Sequence, residues 1–271
     1  MMKKTIYLTI LTIVTVLCII FGVFYHVIGR ITGRWTGSLG GVISYEETNF
    51  AEQLNPYDSI QMDIAAAEVI IQNGEDFGIT YEGAKILAPD FEVKNRVLNI
   101  GCKSQNLPLK GNLEGTITLT IPRGTTLENA SLDVDAGTLE IRDFVAEDFN
   151  VDVDAGNVEI YDGSFGRATF DVDAGNISLN DCTFDRTEAS ADMGNVEYND
   201  CIFNQLEATA DLGNVEVHSL QNLDNYRMDI QVDLGNLEIN GHTYVNDVSN
   251  DGGSDGKLSI TVNLGNACLT Y

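Results

Sequence analysis

DVDAGNVEI, at Asp152–Ile160, is the phrase whose reading decides the fold. It returns before and after as DVDAGTLEI at Asp133–Ile141, DVDAGNISL at Asp171–Leu179, SADMGNVEY at Ser190–Tyr198 and TADLGNVEV at Thr209–Val217. QVDLGNLEI at Gln231–Ile239 and a fading TVNLGNACL at Thr261–Leu269 complete seven copies. Their glycines are Gly137, Gly156, Gly175, Gly194, Gly213, Gly235 and Gly265; the first four intervals are 19 residues and the last two are 22 and 30. A fixed period near 20 residues, rich in β-branched residues and punctuated by Gly-Asn, signals a stacked repeat.

Each copy alternates. Val134, Val153, Val172, Ala191, Ala210, Val232 and Val262 form one apolar set, and Ile141, Ile160, Leu179, Tyr198, Val217 and Ile239 a second. Carboxylates fall between them. Period two puts alternate side chains on opposite faces of a strand, so the aliphatic sets point inward and the acidic sets outward. Gly-Asn between the two short strands reads as a turn, with Gly free to take positive φ and Asn able to bond its own backbone. One copy cannot bury its apolar face alone, but copies stacked about 4.8 Å apart can. A helical solenoid is disfavoured by a mid-unit Gly-Asn and by Val/Ile enrichment. The expectation is an all-β fold, a β-solenoid with rungs of about 19 residues, preceded by one N-terminal transmembrane helix.

The chain has 271 residues, of which 44% are hydrophobic, so it carries enough apolar surface for a core. Its net charge is −26. From Ser131 onward there are 28 Asp and Glu against 5 Lys and Arg. Such a field repels nucleic acid and anionic headgroups and leaves cationic partners open: Ca²⁺, polyamines, basic peptides or proteins.

Met1–Lys4 is short and basic, and Thr5–Gly29 contains no Asp, Glu, Lys or Arg. Twenty-five such residues can cross a hydrocarbon core of about 30 Å. Arg30, Arg34 and Trp35 follow in place of a small-residue cleavage site, which favours an uncleaved anchor over a signal peptide. Lys3 and Lys4 favour an inside amino terminus, and long domains translocate largely regardless of flanking charge, so the large domain is expected outside the cell. His26 is expected near the membrane interface. The organisation read from the chain is an anchor at 1–29, a juxtamembrane linker at 30–58 with a short strand at Val42–Tyr45, and a solenoid at 59–271. Rungs 59–130 are irregular and 131–271 regular. Within the irregular part, Ser59–Gln72 is a degenerate copy in which Met62-Asp63-Ile64 stands where later copies carry Val-Asp-Ala or Val-Asp-Leu and Ala66 stands near the glycine; Gly115–Pro122 is the cleanest strand. Asn246–Lys257 reads as a flexible insertion. The chain stops half a rung past Gly265, which suggests a poorly capped edge open to self-association.

The strongest chemical feature is the column Asp135, Asp154, Asp173, Asp192, Asp211 and Asp233, with a shorter one at Asp133, Asp152 and Asp171. Like charges about 5 Å apart repel by a few tenths to about 1 kcal/mol per pair, so something offsets them. One reading has each Asp before the glycine accept backbone N–H bonds at the turn. The other has a ladder of cations, Ca²⁺ foremost, held between rungs. The phrase is neither the nonapeptide of calcium-binding β-rolls nor an EF-hand loop, so no metal ligand and no cofactor is assigned. Asn157, Asn176, Asn195, Asn214, Asn236 and Asn266 read as an amide ladder, and Glu140, Glu159, Glu197, Glu216 and Glu238 as a solvated face. Cys182 and Cys201, 19 apart, read as a small apolar column or, less simply, a disulfide. His218 and His242 are isolated from any nucleophile motif, and the carboxylates repeat identically instead of forming an unequal pair, so no catalytic residue is assigned.

With the apolar N-terminal segment, GTITLTIP at Gly115–Pro122 and the recurring D-x-G-N-[V/L/I]-E phrases together, residues 59–271 resemble the DUF4097 β-strand-repeat family. That family groups bacterial candidate surface adhesins, many of them membrane-anchored. The resemblance implies a β-solenoid outside the membrane with no catalytic residues to carry over. It makes a non-catalytic binding or adhesin-like module the leading expectation, with a protein, a cationic peptide or a cell-surface polymer as partner. The alternative it implies is an accessory or sensory component of a cell-envelope stress system; a polysaccharide-active enzyme is a third, weaker reading.

Overall fold

The protein is described by a computed structural model at residues 46–102, 114–245, 247–251 and 253–271. The expected transmembrane segment Thr5–Gly29 and the strand expected at Val42–Tyr45 lie outside these residues. Among the described residues the regular elements are all strands except for a single 3-10 turn at Lys85–Leu87. No helix among them is long and apolar enough to cross a membrane.

Each regular rung contributes two strand segments, one before the glycine and one after, and each segment pairs in parallel with its counterparts above and below. Val134 lies opposite Val153, Val153 opposite Val172 and Val172 opposite Ala191. After the corner, Leu139 faces Val158, Val158 faces Ile177 and Ile177 faces Val196. The two rows of segments enclose one core. Val134, Val153, Val172, Ile160, Leu179 and Tyr198 are buried there, while the aspartates of both columns are exposed. A fully buried aliphatic side chain contributes roughly 1.5–3 kcal/mol, and the alternation supplies two or more per rung.

A phenylalanine file fills the far end of this core. Phe165 stacks on Phe149 at 5.0 Å and on Phe184 at 5.4 Å, and Phe203 continues the buried column. The chain crosses between rungs beside it. Asp143, Asp162, Asp181, Asp200 and Asn240 stand there with φ between 49° and 56°. Asp and Asn tolerate this left-handed region better than other side chains, which explains their recurrence after each second strand.

Chain order and stacking order part company at both ends. The degenerate copy, as Ser59–Ile64 and Ala67–Gly74, lies beneath Leu127–Arg142, as expected of a rung. Its first strand is two residues from the sequence alignment, Asp63 facing Asp133 and not Asp135, and at the corner Ala67, the neighbour of Ala66, faces Gly137. A slip of two keeps every side chain on its own face, so the pattern alone does not distinguish the two registers. On its other side it carries a further rung, Val97–Cys102 and Gly115–Pro122. Antiparallel strands then close this end: Asp90–Lys94 on one row, Gly78–Ala84 and Glu47–Gln53 on the other. The segment read as linker thus donates an edge strand.

The opposite end mirrors this. The last copy, Gly256–Leu264 with Ala267–Thr270, is inserted between the fifth and sixth copies, pairing with Val196–Leu212 and Val215–Ser219 on one side and with Tyr226–Leu234 and Leu237–Ile239 on the other. The chain end is therefore one rung inside the stack, and the expected bare edge at Tyr271 does not exist. The sixth copy is outermost. Short antiparallel strands, His242–Tyr244 and Val248–Asn250, cover it, and the Asp247 carboxylate accepts the Val232 N–H at 3.2 Å. Part of the insertion read as flexible is thus an edge cap.

Candidate functional site

The corner between the two strands of each rung carries the repeated polar chemistry. Glycine is needed there because rungs approach too closely for a side chain. A Cβ on Gly194 would lie 1.4 Å from the Gly175 carbonyl oxygen, and one on Gly156 1.6 Å from that of Gly137. Close approach fixes the residue at all seven corners, and the positive φ expected from sequence is present as well at Gly137, Gly156, Gly175 and Gly265.

The asparagines form the expected ladder. Asn157 Oδ1 accepts both the backbone N–H and the side-chain Nδ2–H of Asn176, at 3.1 and 3.2 Å. Asn195 bonds Asn176 in the same way, and Asn214 bonds Asn195. Asn266 continues from Asn214, and Asn236 from Asn266. These amides satisfy the turn N–H groups, the task assigned from sequence to the aspartates. Asp135, Asp154, Asp173, Asp192 and Asp233 accept no backbone N–H among the described residues, and Asp211 takes only the side-chain amide of Asn263, at 2.6 Å. Asn263 is itself the member of that column where a carboxylate is missing, so a neutral donor separates Asp211 from Asp233.

The shorter column extends to Asp63–Asp133–Asp152–Asp171. Partial burial, and then the neighbouring carboxylates, raise Asp133, Asp152 and Asp171 above the usual carboxylate range. Among the described residues no group of three or more His, Cys, Asp or Glu side chains is arranged to hold a metal ion.

Stacking also collects basic residues that are scattered in the sequence. Arg167 faces Arg186, Arg186 faces Gln205, Gln205 faces Lys257 and Lys257 faces Arg227. Four of the five Lys and Arg after Ser131 therefore share one column. Arg167 approaches Asp148 at 3.6 Å, and the adjacent outer column holds Glu188, Glu207 and Asp229. Of this column, only the Arg167–Arg186 pair showed in the 19-residue spacing. The glutamate column is part-exposed to exposed and is interrupted by Cys268, which lies between Glu216 and Glu238. Cys182 and Cys201 are free buried thiols on adjacent rungs, which removes the disulfide reading.

The two parallel rows and the corner ladder identify the relatives. The family profile described as Toastrack DUF4097 matches residues 57–266. The chain belongs to the Toastrack DUF4097 family. Among solved structures, this Toastrack chain is similar to a candidate adhesin from Bacteroides fragilis, with 13% identity and a TM-score of 0.52 over 86% of this chain and 100% of the other. A candidate cell adhesion protein from Clostridium sporogenes shows 12% identity and a TM-score of 0.41, covering 83% and 99%. At such identities the Bacteroides likeness speaks for the fold alone. No curated protein matches the chain.

The histidines of the Toastrack domain are engaged separately. His218 Nδ1 contacts the Asp200 carboxylate, while the neighbouring Ser219 hydroxyl is buried and donates to the Cys201 carbonyl at 3.2 Å. His242 Nδ1 lies 3.1 Å from the Asn240 carbonyl. Neither places a base against a free nucleophile. What the exterior offers is repeated: carboxylates and amides, presented once per rung.

Proposed function

We propose that this protein is a single-pass membrane protein that displays its acidic Toastrack solenoid outside the cell as a non-catalytic binding module of adhesin-like type. The observation that carries the reading is the uniformity of the exterior. Catalysis of glycoside cleavage needs carboxylates in unequal environments, whereas these columns repeat one environment rung after rung. The apolar, uncharged Thr5–Gly29 supports the anchor. The candidate adhesins of the same fold support the module. Its partner is a protein, a cationic peptide or a cell-surface polymer. Protease treatment of intact cells tests the placement: the solenoid should be degraded while the membrane stays sealed, and full protection would overturn it. Incubating cells or wall preparations with the detergent-solubilised chain tests the binding.

The excess of 28 acidic over 5 basic residues after Ser131 favours a second reading, an accessory or sensory component of an envelope-stress system that takes cationic ligands. Affinity capture from native membranes separates the two. Co-purification of a membrane-embedded regulator favours the second, and recovery of wall or surface material favours the first.

A further inference from the structure

The residue between the column aspartate and the glycine changes character along the stack. In the first three regular rungs it is Ala136, Ala155 and Ala174. In the next four it is large: Ala174 faces Met193, Met193 faces Leu212, Leu212 faces Leu264 and Leu264 faces Leu234. The insertion of the last copy between the fifth and sixth makes this file continuous, because Leu264 fills the rung between Leu212 and Leu234. These are not core residues. Met193 is 57% exposed, Leu212 50% and Leu234 37%, and Leu264 is half-buried. A contiguous exposed apolar file on an otherwise charged surface marks an interaction site.

Its borders define the partner. Asp192, Asp211 and Asp233 immediately precede Met193, Leu212 and Leu234 and are exposed. The amide ladder of Asn195, Asn214, Asn266 and Asn236 lies on the other side. A second copy would bring the same carboxylates and be repelled, as would an anionic lipid surface. A basic polypeptide with an apolar stripe complements both features. The pitch agrees as well. Rungs repeat every ~4.8 Å and helix turns every ~5.4 Å, so a helix lying along four rungs drifts by only about 2 Å.

We propose that Met193, Leu212, Leu264 and Leu234, with Asp192, Asp211 and Asp233, form a docking track for a basic amphipathic helix of a partner polypeptide. Apolar residues of the helix at i, i+3/i+4 and i+7 spacing seat on the file, and its flanking Lys or Arg side chains meet the aspartates. The proposal rests on the binding-module reading and names where and what that module binds.

The test uses the full chain in nanodiscs of zwitterionic phosphatidylcholine, with empty nanodiscs as background. The probe is a labelled Leu/Lys amphipathic helix of about five turns, and its control has the same composition in scrambled order. Fluorescence anisotropy should show the probe binding at least about ten-fold more tightly than the scrambled peptide. The L212N/L264N variant should lose that advantage. The D192N/D211N/D233N variant should weaken binding and flatten its salt dependence. Far-UV circular dichroism checks that each variant is folded, and M193N, at the most exposed position of the file, carries the same test if L212N/L264N is not. Equal binding of probe and scrambled peptide, or unchanged binding by L212N/L264N and M193N, overturns the track. So does a wild-type dimer in sedimentation velocity that L212N/L264N abolishes, since that assigns the file to a second copy. If the probe result fails, cell or wall binding by the wild-type chain leaves the module reading standing; absence of both from the wild-type chain removes both.

Discussion

Gly194 shows how a single position is set by its neighbours. Its missing Cβ would meet the Gly175 oxygen at 1.4 Å, backbone that has nowhere to move. Gly194→Ala should therefore cost about 3 kcal/mol or more, the upper range for overpacking. Gly101→Ala is the contrast: its nearest atom would be the Asp63 oxygen at 3.9 Å, and the change should fall within about 0.5 kcal/mol. Urea unfolding midpoints of the two variants check this. Only one of the two reasons for these glycines was legible in the sequence: the positive φ of the turn, present at Gly137, Gly156, Gly175 and Gly265, was read, while the closeness of the next rung was not. The aspartates permit a prediction of opposite sign to ordinary acid denaturation. Asp133, Asp152 and Asp171 have folded-state pKa values raised first by partial desolvation at the sheet surface and then by neighbouring carboxylates. The folded state then holds their protons more readily than the unfolded chain, so their contribution to stability falls as pH rises from the ordinary carboxylate range through the raised values. Mild acidification from neutrality should raise the melting temperature. Asp152→Asn should raise it at neutral pH and flatten the profile, as scanning calorimetry across that pH range would reveal.

Among the strands, those at the borders of the stack matter most. Parallel rungs end in unpaired N–H and C=O groups that recruit other chains. Here short antiparallel strands with charged or polar residues close each row: Asp90–Lys94, Glu47–Gln53, Val248–Asn250 and His242–Tyr244. Val248→Pro puts a residue that cannot donate a ladder bond opposite Ile230, in a strand of three residues, and should loosen that cap. Concentration-dependent self-association in sedimentation velocity, with the melting transition of the core preserved, is the expected outcome. Asp90–Lys94 alternates half-buried Phe91 and Val93 with exposed charged residues, the period-two pattern of a strand. Glu47–Gln53 was not legible in the sequence, because an exposed edge strand carries only Phe50 and Ala51 as apolar residues and lacks a buried face to set a pattern. Val248–Asn250 was hidden in the same way inside a Gly/Asp/Ser-rich stretch.

For the molecule as a whole, the interleaved ends decide how the stack fails. Gly256–Thr270 is wedged between the fifth and sixth copies, so its removal takes away the only parallel partner of Tyr226–Leu234 among the described residues. Truncation before Gly256 should therefore unprotect the amides of Met228 and Ile230 in hydrogen exchange while those of Val153 and Val172 stay protected, because solenoid stability is a sum over neighbouring rungs. The same wedge joins Leu264 to Leu212 and Leu234, and Lys257 to Arg227, building two surface files that no sequence interval predicts. Period-two alternation and the 19-residue beat belong to the chain alone, and they established strands, dry valines, wet aspartates and the asparagine ladder without help. The order of rungs does not belong to it. Every copy presents nearly the same aliphatic face to its neighbours, so any copy can stack on any other by local pattern. Only the connections and caps of the folded molecule choose which copies meet.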